Sequence, residues 1–105
     1  DRSIRQLNET IRLAWAAYEA TAAQVPLLER QVVAARATRD AYAKQFNIGQ
    51  RTLLDVLNSE NEVLQGRESL VETHAEHLLA QYRVLEAIGA LVDSFDAGAE
   101  LALTR

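Results

Sequence analysis

A seven-residue rhythm of apolar side chains, sustained over the first half of the chain, constrains the fold more than any other feature. Ile4, Ile11, Tyr18, Val25, Val32, Arg39 and Phe46 alternate with Leu7, Ala14, Thr21, Leu28, Ala35 and Tyr42 in steps of three and four. This is the a/d seam of a coiled coil held over six heptads, with exceptions at Thr21 and Arg39. It predicts one helix over about residues 2–46. At 1.5 Å per residue such a helix spans on the order of 65 Å, too long to wrap a core of its own. It must lie against another long helix. Pro26 falls inside it and predicts a local kink or break, with the helix resuming at once.

The pattern stops at Asn47-Ile48-Gly49-Gln50. Gly49 is the only glycine in the first 65 residues. A glycine just past a helix is the usual left-handed cap, because it has no Cβ to clash there. Asn47 also tolerates turn geometry. Thr52 then opens a second helix, with Asp55 three residues on. Thr-x-x-Asp is close to a capping box, with the shorter acid in place of Glu. The turn therefore covers residues 47–51 and the second helix about 52–90.

In that second helix Leu57, Leu64, Val71, Leu78 and Leu85 repeat every seven residues. Val56, Val63, Leu70, His77, Val84 and Leu91 form an adjacent row, broken once by His77. Two adjacent rows make a stripe wider than a two-stranded seam needs, which suggests packing on more than one neighbour. The small residues Ala14, Ala16, Ala17, Ala20, Ala22 and Ala23 of the first helix allow the same. Gly89 marks an expected end or weakening, and residues 93–105 read as a frayed tail or a short extra helix. The fold class is all-α: a long antiparallel two-helix coiled-coil hairpin over residues 1–92.

Four glycines, one proline and abundant alanine favour helix nearly everywhere. Eleven basic and 15 acidic residues, net charge −4, are mixed along the chain, which argues against nucleic-acid binding. There is no cysteine for disulfides or thiol chemistry. No apolar run approaches membrane-spanning length. With no Met at position 1 and a helical pattern from the start, the chain reads as a piece of something longer.

Phe46-Asn47-Ile48-Gly49-Gln50-Arg51-Thr52-Leu53-Leu54-Asp55-Val56-Leu57 resembles the periplasmic tip of the TolC family of outer-membrane channel-tunnel proteins. The family pattern is roughly aromatic-x-[VI]-G-x-R-T-x-x-D-V-L. Ala14-Trp15 with a downstream Gln-Val pair is similar to the descending helix. Leu78-Leu79-Ala80-Gln81-Tyr82-Arg83 and Ala87-Ile88-Gly89-Ala90-Leu91 are similar to the ascending one. The resemblance covers about residues 12–92 and points to the hairpin of the second structural repeat, at the inner side of the tunnel entrance.

The resemblance implies a homotrimeric parent in the outer membrane of a Gram-negative bacterium, with this segment in a periplasmic α-helical barrel. It implies an exit duct for multidrug efflux or type I secretion. A periplasmic adaptor (membrane-fusion) protein would dock on the tip residues Asn47, Ile48, Gly49, Gln50, Arg51, Thr52 and Leu53, and would link the duct indirectly to an inner-membrane pump. Phe46, Arg51, Asp55 and Asn58 would belong to the entrance gate or constriction. In the family the position of Phe46 is often a tyrosine that helps the arginine hold the entrance shut; Phe46 lacks that hydroxyl. Asn58 stands where a second acid is expected, so the ring would carry less charge. The isolated segment, cut from its barrel, is expected to self-associate.

No nucleophile with its base, phosphate loop or paired-carboxylate site is present, and a two-helix hairpin offers no concave pocket. The chain reads as neither an enzyme nor a cofactor binder. His74 and His77 stand three apart on a helix and could in principle share a metal. They lack a third ligand, and His77 falls in an apolar row, so no metal site is expected. Arg51 and Asp55, four apart at a helix start, read either as a local ion pair or, as the resemblance favours, as gate or docking residues that face neighbouring subunits or the pore axis. Glu60, Glu62 and Glu68 read as a solvated face, and Trp15, Tyr18, Tyr42 and Tyr82 as packing residues. The alternative to the duct is the hairpin of an adaptor itself, or another coiled-coil interaction module. Adaptor hairpins carry an Arg-Leu pair before the turn; here the turn is Ile-Gly-Gln-Arg-Thr.

Overall fold

The structure, a computed structural model, describes residues 2–103. Two helices, α1 (Arg2–Asn47) and α2 (Leu53–Leu103), form a hairpin, with no strand among the described residues. Two compact units divide it, each built from facing, antiparallel stretches of both helices. One is Ala22–Ala75, which contains the turn. The other comprises the described parts of Asp1–Thr21 and Glu76–Arg105.

The heptad seam of α1 is the face that packs. From Leu7 to Tyr42 every seam position is buried or half-buried, and Ala14 and Val32 are among the most enclosed. The seam opens at its ends, where Ile4 is 51% and Phe46 40% exposed. On α2 the row Val56, Val63, Leu70, His77, Val84 and Leu91 faces α1. The other row does not. Leu57, Leu64, Val71, Leu78 and Leu85 are all exposed.

The α2 seam is completed by a row of small residues: Ser59, Gly66, Thr73, Ala80 and Ala87. A Cβ added to Gly66 would sit 3.4 Å from Val32 Cγ2, so the Val32 side chain packs directly on the α2 backbone there. Close approach explains why small side chains, rather than leucines, occupy the a/d positions.

The breaks in the pattern find partners. Within the unit that includes Thr21 and Glu76, Thr21 Oγ1 donates to the Ala17 carbonyl at 2.9 Å and lies 2.8 Å from His77 Nδ1. Gln81 Nε2 lies 3.5 Å from His77 Nε2, and which ring nitrogen carries the proton sets the direction of both contacts. Tyr18 stacks on the His77 ring at 5.0 Å. In the turn-bearing unit, Arg39 reaches out of the seam to Glu60 at 3.4 Å and to Asp40 at 3.1 Å. Long basic side chains lay their stems on apolar surface in this way while the charge stays in water. Two aromatics read as packing residues are surface residues instead: Trp15 is 49% and Tyr82 66% exposed. Both carry one polar atom that water or a carboxylate satisfies, as Glu19 does for the Trp15 indole at 2.8 Å.

One sequence expectation narrows and another gives way. Of the kink or break expected at Pro26 the break is absent, since helix α1 runs through it. Pro26 and Ala22, whose carbonyl loses its intrahelical donor, are both exposed, so water can take that donor's place. Helix α2 does not stop near residue 90 but continues to Leu103, through Gly89 and Gly98. Neither glycine adopts the left-handed conformation that ends a helix. A helical glycine costs about 1 kcal/mol relative to alanine, less than the flanking alanines and leucines can offset. Residues 104–105 of the expected tail lie outside the described residues.

Candidate functional site

The tip is a turn locked from both sides. Gly49 has φ +79°, and it is the only glycine with positive φ among the described residues. Its N–H donates to the Phe46 carbonyl at 3.0 Å, and the Gln50 N–H donates to the Gln45 carbonyl at 2.8 Å. These are the paired bonds of a Schellman cap, which satisfy carbonyls that the end of α1 leaves open. On the other side the Asp55 N–H donates to Thr52 Oγ1 at 3.2 Å, and the Thr52 N–H donates to Asp55 Oδ2 at 3.4 Å. The capping box read from Thr52 and Asp55 is thus reciprocal, and it carries a negative charge at the positive end of α2.

The turn pushes apolar side chains into solvent. Ile48 is 69%, Leu53 55% and Leu54 65% exposed, followed by Leu57 at 56%. Asn47, Gly49, Gln50, Thr52 and Asn58 are exposed as well, and Phe46 is partly so. Apart from half-buried Arg51, the expected docking residues are therefore exposed together at this end. Leu54 is exposed beside them, although the sequence pattern does not single it out. A leucine in the first turn of a helix, ahead of the seam that begins at Val56, is the one signal that could have found it.

The expected gate residues are only partly brought together. Asp55 is half-buried and committed to the cap of α2. Arg51 does not pair with Asp55. Its guanidinium carbon lies 4.0 Å from the centroid of the Tyr42 ring, and its Nε–H donates to Gln45 Oε1 at 2.7 Å. Arginine over an aromatic face is worth about 0.5–1 kcal/mol at an exposed site, on the scale of a surface ion pair. Asp55 is already bonded to Thr52, and Arg51 turns back across the turn to the end of α1. Tyr42 and Gln45 are not among the site residues that the sequence suggests. Only the meeting of the last turns of α1 with the start of α2 reveals them.

His74 and His77 take separate neighbours. His74 Nε2 lies 3.8 Å from Glu29 Oε1, while His77 is committed to Thr21 in the seam. Among the described residues no group of three or more His, Cys, Asp or Glu could hold a metal ion. None of the described helices is long and apolar enough to cross a membrane. The surface depressions are shallow grooves along the helices, such as the one lined by Trp15, Tyr18, Gln81, Val84 and Leu85.

The hairpin thus presents an exposed apolar tip and an apolar face of α2 that α1 does not cover. The chain is 31% identical over 86 residues to the outer membrane efflux protein BepC of Brucella suis biovar 1 (strain 1330), covering 82% of this chain and 19% of that protein. It is 24% identical over 87 residues to the outer membrane protein TolC of Escherichia coli (strain K12), covering 83% of this chain and 18% of that one. The TolC of Salmonella enteritidis matches to the same extent. The chain thus spans about one fifth of the length of the curated relatives it matches. No protein-family model and no solved structure matches it. The chain folds as a helical hairpin, and the relatives it matches are outer-membrane proteins. It belongs to the TolC family.

Proposed function

We propose that this chain is the tip hairpin of the periplasmic tunnel of an outer-membrane duct for drug efflux or type I secretion. It lies on the periplasmic side of an outer-membrane protein of a Gram-negative bacterium. The tip, Asn47 to Leu53 with Leu54, docks a periplasmic adaptor protein, and through it an inner-membrane pump. The observation that carries this reading is the tip itself. Ile48, Leu53 and Leu54 stay in water because Gly49 and the Thr52–Asp55 cap hold them there. Apolar side chains held out of a core by two sets of capping bonds suit a contact surface.

The exposed row Leu57, Leu64, Val71, Leu78 and Leu85 is the face that neighbouring helices cover in the trimeric barrel of the parent. Arg51, Phe46, Asp55 and Asn58 stand at its entrance, and closure rests on Arg51, since Asp55 is occupied by the cap.

Two substitutions test the reading. Gly49→Leu places a side chain at φ +79°, which strains the turn whatever the space around it. It should abolish adaptor docking to the full-length duct in a pull-down or surface-resonance assay, with helicity nearly unchanged by circular dichroism. Adaptor binding equal to that of wild type sinks the docking claim. Arg51→Ala in the full-length duct should raise the closed-state conductance in planar bilayers. Unchanged closure removes Arg51 from the gate.

A further inference from the structure

Arg51 is held by its own hairpin in a way that leaves part of it open. Its Nε–H is bound by Gln45 Oε1 at 2.7 Å, and one face of its guanidinium is covered by the Tyr42 ring at 4.0 Å. Tyr42 and Gln45 sit in the last turns of α1, whereas Arg51 immediately precedes the cap of α2. The clamp thus ties the exit of one helix to the entrance of the other. A guanidinium has five N–H donors in one plane, and the clamp uses one of them. With one face and the Nε edge fixed, the direction of the Nη1/Nη2 edge is fixed as well. The nearest acid in sequence, Asp55, is spent on Thr52. Nothing within the tip takes the remaining edge.

We propose that Tyr42 and Gln45 are positioning residues for Arg51, fixing the direction of its Nη1/Nη2 edge toward the groups that close the duct. The use of that edge, a planar fork of N–H donors, rests on the reading of Arg51 as a closing cation; the clamp does not. Rotation of the guanidinium would turn the fork away. Lysine at this position would keep the charge and lose both the stack and the fork. An unclamped arginine would have to order its side chain at the moment of contact, which costs rotamer entropy that the clamp has already removed.

The clamp is tested on the 105-residue chain by the Nε–Hε signal of Arg51 in nitrogen-15 NMR spectra. In the wild type this signal should be shifted upfield by the Tyr42 ring and should exchange slowly with water. Tyr42→Leu should remove the ring shift, Tyr42→Phe should keep it, and Gln45→Ala should speed the exchange. A wild-type signal at the position of free arginine, or one that Tyr42→Leu does not move, overturns the clamp. The fork is tested by closed-state conductance of the full-length duct. Tyr42→Leu should reproduce most of the increase caused by Arg51→Ala, and the double variant should add nothing further, as expected for residues acting as one unit. An increase with Arg51→Ala but none with Tyr42→Leu overturns the positioning role. No increase with Arg51→Ala overturns the gate reading instead, and the clamp then stands or falls on the NMR signal alone.

Discussion

Val63 and Leu64 are neighbours in α2, yet Val63 is 1% exposed and Leu64 49% exposed. The contrast repeats along the helix at heptad spacing. Val56, Leu70, Val84 and Leu91 turn inward, while Leu57, Val71, Leu78 and Leu85 turn out. The outward row is the more leucine-rich of the two, so hydrophobicity by itself does not select the face that folds. Fit does. The inward row is flanked by Ser59, Gly66, Thr73, Ala80 and Ala87, small enough to let α1 approach. The outward row has no facing helix in this hairpin. One face of α2 holds the hairpin together, and the other is free for contacts beyond it.

The largest test of this contrast places one charge on each face. Val63→Asp buries a carboxylate with no partner and should cost about 3–5 kcal/mol, enough to unfold a hairpin with so thin a seam. Leu64→Asp should stay within about 0.5 kcal/mol of wild type in urea unfolding followed by circular dichroism. It should also weaken self-association of the chain in sedimentation equilibrium. Equal losses of stability at both sites would break the distinction between the faces.

A smaller effect is expected within the inner face. Thr21→Val removes the hydroxyl that pairs with His77 Nδ1 and should destabilise by about 1–3 kcal/mol, the cost of leaving a part-buried polar atom unmatched. Thr21→Val combined with His77→Leu should recover most of that loss, because both polar partners then go together. If the double variant is as unstable as the sum of the singles, the pair is not coupled across the seam.

The smallest effect belongs to the outer surface, where Gly89 faces open space inside an unbroken helix. Gly89→Ala should stabilise by about 0.5–1 kcal/mol in thermal unfolding, through backbone entropy and helix propensity. Destabilisation there would mean that α2 bends or ends at Gly89, as a glycine in that position suggests from the amino-acid pattern.

Much of the molecule is legible in its amino-acid order. The a/d steps from Leu7 to Tyr42 name the packed face of α1 almost residue by residue, because a helix turns by a fixed angle and apolar side chains must leave water. Gly49 and the Thr52–Asp55 spacing name the turn and both caps, because those bonds join residues no more than five apart. The family resemblance is legible at the same place, in the run from Phe46 to Leu57.

Other features depend on what lies opposite in space. Two apolar rows on α2 are equivalent by periodicity, and only the approach of α1 at Gly66 and Val32 distinguishes them. Thr21 and His77 look like two separate flaws, and pairing across the seam makes them one hydrogen bond. Arg51 and Asp55 look like an ion pair because they are near in sequence. The fold gives Asp55 to Thr52 and Arg51 to Tyr42 and Gln45. Helix, turn and cap arise from bonds within a few residues, so the order of residues along the chain is enough to set them. The choice of face and of polar partner depends on distances across the hairpin, and those exist only once the two helices have met.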